Sequence, residues 1–461
     1  MMNVQPLITH HSSLITHHYN MLLEQLIIYG SVFLFCGGIV YFYLKKLKQE
    51  SQRVKAKIEK AKEEGLHEPV SLHPVIDLNT CIKSAACVTA CPEKDIIGIV
   101  DGQATLIQSS NCVGHGACFH SCPVEAISLV IGTAKRGVDL PHVNEKYETN
   151  VGGVYIAGEL GGMGLIKNSV EQGKNAVENI AKLKTKRGEA EYDLIIIGAG
   201  PAGISGSLMA KKLGIKFLTL EQDTLGGTVF TFPRSKIVMT APMDLPLYGK
   251  VKLFDTNKGE LLKIWEDALT KNDITIRDKT KVEEIKPVKD YFKIITIHGE
   301  VISTKNVLIA IGRRGSPRKL NIPGEISEKV AYRLLEPENI NDKKVVVVGG
   351  GDSAIEAALS LMDENEVTLS YRKDKFSRLK PKNRDKVLAA IEQKRLVVKY
   401  NSNLLKINPA NILLSTTGKE TAEVLKNDMV FIFAGGELPT QFLQKAGVEI
   451  TKRFGYTMKK Y

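Results

Sequence analysis

The chain has 461 residues, of which 43% are hydrophobic and 25% are charged. This length and balance allow two or three globular units and exclude a largely disordered chain. The net charge of +12 would suit nucleic acid, but the basic residues are spread and no nucleic-acid motif occurs, so no nucleic-acid partner is expected. A membrane surface or an acidic protein partner fits the charge better.

The N-terminal part predicts a membrane anchor. Residues 1–20 contain the near-repeat LITHHSSLITHH, which offers no hydrophobic face, so we expect an unstructured extension there, and Met21 offers a second start. Residues 21–44 are predicted to form a transmembrane helix, because residues 26–44 carry no formal charge and would span about 28 Å as a helix. A cleaved signal peptide is the alternative.

The residues after the apolar run indicate its orientation. Lys45, Lys46 and Lys48 follow directly, and the positive-inside rule then places the rest of the chain on the cytoplasmic side of a single-pass membrane protein. Residues 45–72 are highly charged and rich in helix formers. They are predicted to be a solvated helical linker.

Six of the seven cysteines cluster in two copies of Cys-x5-Cys-x3-Cys-Pro, CIKSAACVTACP and CVGHGACFHSCP. Disulfides or a zinc site would also use clustered cysteines, but zinc prefers two close pairs of ligands. The repeat resembles the bacterial dicluster ferredoxin pattern, Cys-x2-Cys-x2-Cys-x3-Cys-Pro, in which the last cysteine of each copy ligates the other cluster. The resemblance implies a ferredoxin-like α+β iron-sulfur domain over residues 73–140.

This resemblance also implies the ligands of two clusters, of the 4Fe-4S or 3Fe-4S type. One cluster would be bound by Cys81, Cys87 and Cys122, and the other by Cys112, Cys118 and Cys91.

The second cysteine of each copy is missing, with Ser84 at that position in the first copy and His115 in the second. We predict His115 as a further metal ligand, because imidazole can replace thiolate at iron. Ser84, water or another group could complete the remaining position.

A dinucleotide fingerprint begins at Tyr192 in YDLIIIGAGPAGISGSLMAKKLGIKFLTLEQ. A buried strand leads into Gly198, Gly200 and Gly203, then into a helix and a second strand that ends at Glu221. The glycines permit a tight turn and close approach of a pyrophosphate, whose charge the helix N-terminus favours. Glu221 is predicted to bind the ribose hydroxyls.

A further fingerprint, KKVVVVGGGDSAIEAALSL, places Gly349 and Gly351 in a second nucleotide loop. The strand that follows ends in Arg372 and Lys373, and no acidic residue follows it. A carboxylate there would favour NADH, whereas Arg372, Lys373 and Arg378 can neutralise a 2′-phosphate. The sequence therefore predicts NADPH.

The two fingerprints together resemble those of the two-domain flavoprotein reductases of the thioredoxin-reductase-like group, over about residues 190–440. The likeness includes VLIAIGRRG, in which Gly312 follows a strand. It implies an FAD-binding domain at residues 188–317, an NADPH-binding domain at 318–434 and a return to the FAD domain at 435–461. The expected fold is α/β, with two Rossmann-like domains, the ferredoxin-like domain and one transmembrane helix.

That group passes electrons through a Cys-x-x-Cys pair in its nucleotide domain, but no cysteine follows Cys122 here. Thioredoxin reduction by that route is therefore excluded. The group also ends with a third FAD motif. A segment that resembles it lies upstream here, in residues 141–187, where VYIAGEL would bring Glu159 beside the flavin. We interpret this as a circular permutation, the alternative being a helix packed on the ferredoxin unit.

The expected function is electron transfer between NADPH, FAD and the clusters, to or from a ferredoxin, a quinone or another protein. The reverse direction, ferredoxin-linked reduction of NADP, is equally allowed. A disulfide or quinone reductase with vestigial clusters and a membrane-tethered redox sensor are the alternatives. No catalytic acid-base pair is recognised, and a homodimer is left open.

Overall fold

The computed structural model describes residues 7–69, 72–93, 95–162, 164–182, 188–232, 237–240, 242–253, 255–313, 317–376, 379–418, 421–436 and 439–459. The helices in chain order are α1 Leu7–Glu63, α2 Ala86–Ala90, α3 Ala117–His120, α4 Ile166–Lys182, α5 Pro201–Lys212, α6 Lys258–Thr270, α7 Asp352–Leu361, α8 Pro381–Glu392 and α9 Thr440–Lys445. Short 3-10 turns lie at Ser109–Asn111, Glu159–Gly161 and Pro337–Asn339.

The strands fall into an N-terminal and a C-terminal series. The first series is β1 His73–Ile76, β2 Ile97–Val100, β3 Gln103–Leu106, β4 Ile127–Ile131, β5 Val138–Pro141, β6 Val154–Ile156, β7 Tyr192–Ile197, β8 Phe217–Leu220, β9 Ile237–Met239, β10 Met243–Leu245, β11 Gly249–Val251, β12 Asp255–Asn257, β13 Ile276–Arg277, β14 Val282–Val288, β15 Tyr291–Thr296 and β16 Val301–Ile309. The second is β17 Val330–Ala331, β18 Lys344–Val348, β19 Glu366–Ser370, β20 Val397–Lys399, β21 Ser402–Ile407, β22 Asn411–Thr416, β23 Glu423–Lys426, β24 Met429–Ile432, β25 Ile450–Arg453 and β26 Tyr456–Lys459.

The long helix α1 begins earlier than the sequence predicted. Residues 7–20, expected to be unstructured, are helical, because lengthening an existing helix adds one hydrogen bond per residue and only nucleation is costly. Among the described residues, Glu24–Glu63 is the one helical stretch long and apolar enough to cross a membrane, and its apolar window is not buried. Phe33, for example, is 79% exposed.

The end of α1 packs on the cysteine-rich region, which we define as residues 72–141. Ser51, Val54 and Ala61 lie on one face of the helix, and Ala61 is fully buried. A Cβ added to Gly98 of β2 would come within 2.7 Å of a Val54 methyl carbon. The prediction of a solvated spacer is corrected here, because these small residues recur at helical spacing within a charged sequence and bury one face.

The cysteine-rich region is completed by strands from far along the chain. Strand β4 pairs antiparallel with β1 on one side and with β26 on the other, and β5 pairs antiparallel with β25. Residues 435–461 were predicted to return to the FAD domain, and the structure divides them. Leu443 and Val448 pack in the core around β7 and β16, whereas β25 and β26 join the cysteine-rich region.

The first nucleotide sheet has the order β13-β8-β7-β16-β15-β14, with β6 also paired to β16. Strands β8, β7, β16 and β6 run parallel, so their carboxyl ends meet at one edge. Ile195 and Ile197 of β7 face one buried cluster, and Leu194 and Ile196 face the other. Both faces are covered, as is usual for parallel strands.

Helices α4 and α5 cover one face of this sheet and touch through glycines. A Cβ added to Gly173 of α4 would lie 2.0 Å from the carbonyl oxygen of Ala202 in α5. The backbones therefore approach more closely than any side chain would allow. Residues 154–156 and α4, which precede the first glycine loop in the sequence, are both part of this α/β layer.

The second nucleotide sheet has the parallel order β17-β24-β18-β19-β20. The connection into it is organised by Glu325, which is 5% exposed. Its carboxylate accepts hydrogen bonds from the Leu320 and Asn321 amides and from the Tyr332 hydroxyl, each at 2.7 Å. Burial opposes the charged form, but these donors favour it and hold the pKa of Glu325 below its usual range.

Candidate functional site

The predicted glycine loop of the first nucleotide sheet is formed as expected between β7 and α5. Gly198 has a φ of +105°, and Gly200 is the N-cap of α5, with Pro201 in the first turn. A Cβ on Gly203 would lie 1.8 Å from the Gly198 carbonyl oxygen. The loop therefore presents free backbone to an anion at the start of the helix.

Glu221 lies directly after β8 and beside this loop. Its Oε2 accepts a hydrogen bond from the Ala199 amide at 2.7 Å, and its Oε1 accepts one from the Asp223 amide at 3.0 Å. Burial of the carboxyl, which is 5% exposed, raises its pKa. The side chain thus holds the loop in place, and its remaining lone pairs are available to a ribose hydroxyl.

Gly312 and Glu159 lie at the same edge, after β16 and β6. Gly312 has a φ of +68°, and Glu159 is half-buried in the turn that follows β6. The preceding Gly158 has a φ of +87°, and its amide donates to Gln172 Oε1 at 2.8 Å. The structure therefore brings both predicted residues to the edge that carries the glycine loop.

Sequence reasoning missed Arg313, which follows Gly312. Burial lowers the pKa of its guanidinium, while the charges of Glu159 and Asp139 oppose that shift. Its Nη2 donates to the carbonyl oxygen of Asp139 in β5 at 3.5 Å. A shallow cleft lies here, lined by Asp139, Leu160, Arg313 and Leu443 among others. A basic residue next to the predicted Gly312, a few positions beyond β16, was the available signal.

The second glycine loop follows β18. Gly349 has a φ of +138°, and Gly351 is the N-cap of α7. Arg372 and Lys373 are exposed after the end of β19, next to this loop in the parallel sheet. Arg378, predicted with them, lies outside the described residues.

An aromatic cluster beside the second loop was also missed. A Cβ added to Gly350 would fall 2.2 Å from the Tyr371 ring, so the ring lies directly on the loop. Tyr371 stacks on Phe376, with ring centroids 5.3 Å apart, and Phe376 contacts Tyr400 at the same centroid distance. The cluster holds the strand end that carries Arg372.

The two cysteine loops have the same backbone form. Lys83 and Ala85 of the first copy have φ values of 62° and 57°, and Gly114 and Gly116 at the corresponding positions of the second copy have 75° and 73°. The repeat in the sequence is therefore a repeat in structure.

Cys81, Cys87 and Cys122 line one recess, and we name this group the first cluster site. Ser84 lines the same recess, with Ile76, Val124 and Ile127. Burial raises the pKa of Cys87, and the neighbouring thiols of Cys81 and Cys122 raise it further.

Cys91, Cys112 and Cys118 form a second group, which we name the second cluster site. Burial, with the charges of Cys112 and Cys91 adding to it, raises the pKa of Cys118 to about 12, and burial raises that of Cys112 to about 11. His115 Nε2 is buried without a hydrogen-bond partner, and burial lowers the pKa of the ring. Its Nδ1 accepts a long hydrogen bond from the Ala117 amide at 3.4 Å.

These donor sets fit iron-sulfur clusters. Within the described ranges, no three His, Cys, Asp or Glu side chains converge closely enough for a single metal ion. The thiols of the first cluster site instead surround a space, as a polynuclear core requires. The buried Nε2 atom of His115 has no hydrogen-bond partner. An iron of a bound cluster would supply a partner when the ring proton lies on Nδ1, a tautomer that gives up the long bond from the Ala117 amide.

The fold and the sites define a flavin-dependent pyridine-nucleotide oxidoreductase with an iron-sulfur domain. Residues 195–459 match the model of the pyridine nucleotide-disulphide oxidoreductase family, and residues 73–123 match a 4Fe-4S dicluster domain. The chain belongs to this oxidoreductase family and carries the dicluster domain, and the predicted resemblance is confirmed. These matches support FAD, NADPH and iron-sulfur clusters as cofactors.

Two curated relatives and one solved structure illustrate the likeness. The bacilliredoxin reductase of Bacillus subtilis is 28% identical over 57% of this chain and 82% of its own length. The ferredoxin–NADP reductase of Ignicoccus hospitalis is 31% identical over 40% of this chain, which spans 57% of that reductase. The bacillithiol disulfide reductase of Bacillus cereus shares the fold, with 24% identity and a TM-score of 0.50 over 58% of this chain and 85% of that protein.

Proposed function

We propose that the protein is a membrane-anchored, NADPH-dependent iron-sulfur flavoprotein oxidoreductase that transfers electrons between NADPH, FAD and ferredoxin-type clusters and an external carrier. The observation that carries the proposal is the contact between the first nucleotide sheet and the cysteine-rich region. Arg313, at the edge of the first nucleotide sheet, donates to Asp139 of the cysteine-rich region. In open α/β sheets, ligands bind at the carboxyl ends of the strands.

The proposed flavin site uses residues of three strand ends. The loop from Gly198 to Gly203 would hold the pyrophosphate, Glu221 the ribose, and Gly312 with Glu159 the flavin end. A bound flavin accepts a hydride and releases electrons singly. Arg313 would place a positive charge where the reduced flavin gains negative charge, and the cleft beside it opens toward the strand pair β5 and β25.

We further propose that residues 141–187 are a permuted third motif of the FAD domain. Strand β6 pairs with β16, and α4 contacts α5 through Gly173. Both features support a role of this segment in the flavin site, although it precedes the residues that match the family.

The proposed nicotinamide nucleotide is NADPH, held at the loop of Gly349 and Gly351. Arg372 and Lys373 are exposed at the adjacent strand end, where a 2′-phosphate would lie. Guanidinium and ammonium groups supply charge-assisted hydrogen bonds to a phosphate. Arg378 lies outside the described residues, and its role stays a prediction.

The proposed membrane span is residues 26–44 in α1, with the cofactor domains on the cytoplasmic side. The exposed apolar surface of this segment and the lysines that follow it support the proposal. Membranes from cells that express the full chain should retain it after washing with alkaline carbonate. Release of intact protein into the soluble fraction would refute the span.

An anaerobic preparation of the full chain in detergent tests the redox proposal. We expect about six to eight irons per chain, and NADPH should first bleach the flavin and then produce EPR signals of reduced clusters. Cys118→Ser should remove iron and the corresponding signal. Cys36→Ser is the matched control, because Cys36 is exposed in α1, far along the chain from the other cysteines.

Iron-free protein with unchanged NADPH-driven dye reduction would overturn the role of the clusters. It would favour the second candidate, a flavin-dependent disulfide or quinone reductase; the Bacillus subtilis relative is named as a reductase of bacilliredoxin. The ferredoxin–NADP reductase relative suggests the reverse direction, with a ferredoxin as electron donor. Comparison of the rates with a reduced ferredoxin plus NADP and with NADPH plus an oxidised carrier separates these directions.

A further inference from the structure

The two cluster sites share a backbone but differ at the positions that lack a cysteine. In the first copy, Ile82, Lys83 and Ser84 are all exposed, and Ile82 retains 60% of its surface. In the second copy, Gly114 is buried and the Nε2 atom of His115 is shielded from solvent. The pseudo-symmetry of the repeat is therefore broken in solvent access.

A segment of the chain covers the second copy. Leu72, which is 4% exposed, lies over Gly114, where an added Cβ would come within 2.7 Å of the leucine Cβ. The Leu66 carbonyl oxygen also accepts a hydrogen bond from the Ser110 amide at 3.0 Å. Leu66 and Leu72 thus lie against the side of the repeat that carries His115.

The first cluster site has three thiols and an exposed hydroxyl. Ser84 Oγ accepts a weak hydrogen bond from the Ala86 amide at 3.5 Å, within its own loop. A neutral serine hydroxyl is a poor ligand for a soft iron-sulfur core, which prefers thiolate. The inference rests on the proposed function, in which this site binds a cluster. Three protein ligands would then hold that cluster, and one coordination position would stay open toward solvent.

We propose that the first cluster site binds the thiolate of an external thiol at this open position, whereas His115 closes the second cluster site. The recess combines apolar walls from Ile76 and Ile82 with the cation of Lys83. An anionic sulfur on an apolar stem matches both properties. A low-mass thiol and a cysteine of a partner protein share this chemistry.

The test uses the full chain, loaded with iron and purified anaerobically. Titration with 2-mercaptoethanol should shift one of the two EPR signals of the reduced protein and leave the other unchanged. Ser84→Cys restores the fourth thiolate and should weaken the response at least about tenfold. Ser84→Ala should respond like the unchanged protein, because the hydroxyl is not a ligand. His115→Cys is the matched change in the second copy and should keep the shift.

Mild oxidation gives a second measurement. An iron without a protein ligand is lost first, so the unchanged protein should release iron and show a three-iron EPR signal, and Ser84→Cys should suppress both.

A second titration distinguishes a low-mass thiol from a cysteine of a partner protein. It uses a folded protein of about the size of a ferredoxin that carries one surface cysteine. A shift with 2-mercaptoethanol alone indicates a low-mass thiol, and a shift with both indicates a protein partner.

Normal iron content with no thiol response in the unchanged protein would overturn the inference and leave the proposed function intact. Loss of the response in Ser84→Ala would also overturn it, because the serine would then be the ligand. Absence of iron from the unchanged protein would instead refute the proposed function.

Discussion

Gly173→Ala tests whether residues 141–187 are built into the proposed flavin-binding layer. The position is buried, and the new Cβ would lie 2.0 Å from the Ala202 carbonyl oxygen. This atom belongs to the backbone of α5 and cannot rotate away. The helices must therefore separate for the variant to fold.

Two opposing contributions set the change in the free energy of unfolding. Alanine is about 1 kcal/mol more favourable than glycine inside a helix, whereas overpacking costs about 1 to 3 kcal/mol and more where backbone must move. Because the blocking atom is backbone, we expect the upper end and a net loss of about 2 kcal/mol. For a unit of this size, that loss lowers the Tm by about 4 to 8 °C.

The assay is thermal release of FAD from the full chain in detergent, followed by flavin fluorescence, with FAD content measured before heating. Gly161→Ala is the matched control, because its nearest neighbour would be a methyl carbon of Ile156 at 4.0 Å. The control should change stability by no more than about 0.5 kcal/mol. A Gly173→Ala protein with unchanged or raised Tm and full FAD content would refute the packing of α4 on α5.

Three further changes test other parts of the molecule. Arg372→Ala should weaken NADPH binding about 10- to 100-fold and leave NADH nearly unchanged in fluorescence titrations; equal losses would mean that the residue supports the fold. Glu325→Gln should destabilise the protein most at neutral pH, because a carboxyl with a lowered folded pKa stabilises above its unfolded pKa of about 4.3 and loses that effect as the pH falls through the folded value. Urea denaturation at several pH values checks this, and a stability difference that grows in acid would contradict it. Ala61→Arg should detach the end of α1 and speed amide hydrogen exchange in residues 97–100, whereas unchanged exchange would show that the buried face of α1 is dispensable.

The local parts of the architecture could be predicted from the sequence. The glycine loops at Gly198 and Gly349 depend on neighbouring residues, because a strand, a tight turn and a helix start follow one another along the chain. The two groups of thiols could also be anticipated, because the resemblance to dicluster ferredoxins implies that the last cysteine of each copy lies with the first two of the other. The assignment of ligands to each cluster stays a prediction.

The structural features that depend on contacts between distant residues could not be predicted from the sequence. Arg313 meets Asp139 only because β5 is placed at the edge of the first nucleotide sheet, and nothing near either residue indicates the other. The buried face of α1 was hidden because Ser51, Val54 and Ala61 are small residues among charges. Tyr371 lies on Gly350 through the neighbouring strand of a parallel sheet, a pairing that sequence spacing does not reveal.

The pairing of β26 with β4 has a consequence for the order of events during synthesis. Thr457 lies opposite Val130, so roughly 325 residues must leave the ribosome between the two partners, which takes about 15 to 65 s at ordinary elongation rates. Until then β4 has an unpaired edge, which is prone to aggregation. Nascent chains would therefore need protection of this edge. A truncated messenger RNA would yield a protein in which β4 lacks its partner β26. Such a chain would be a target for proteolysis before it could sequester iron.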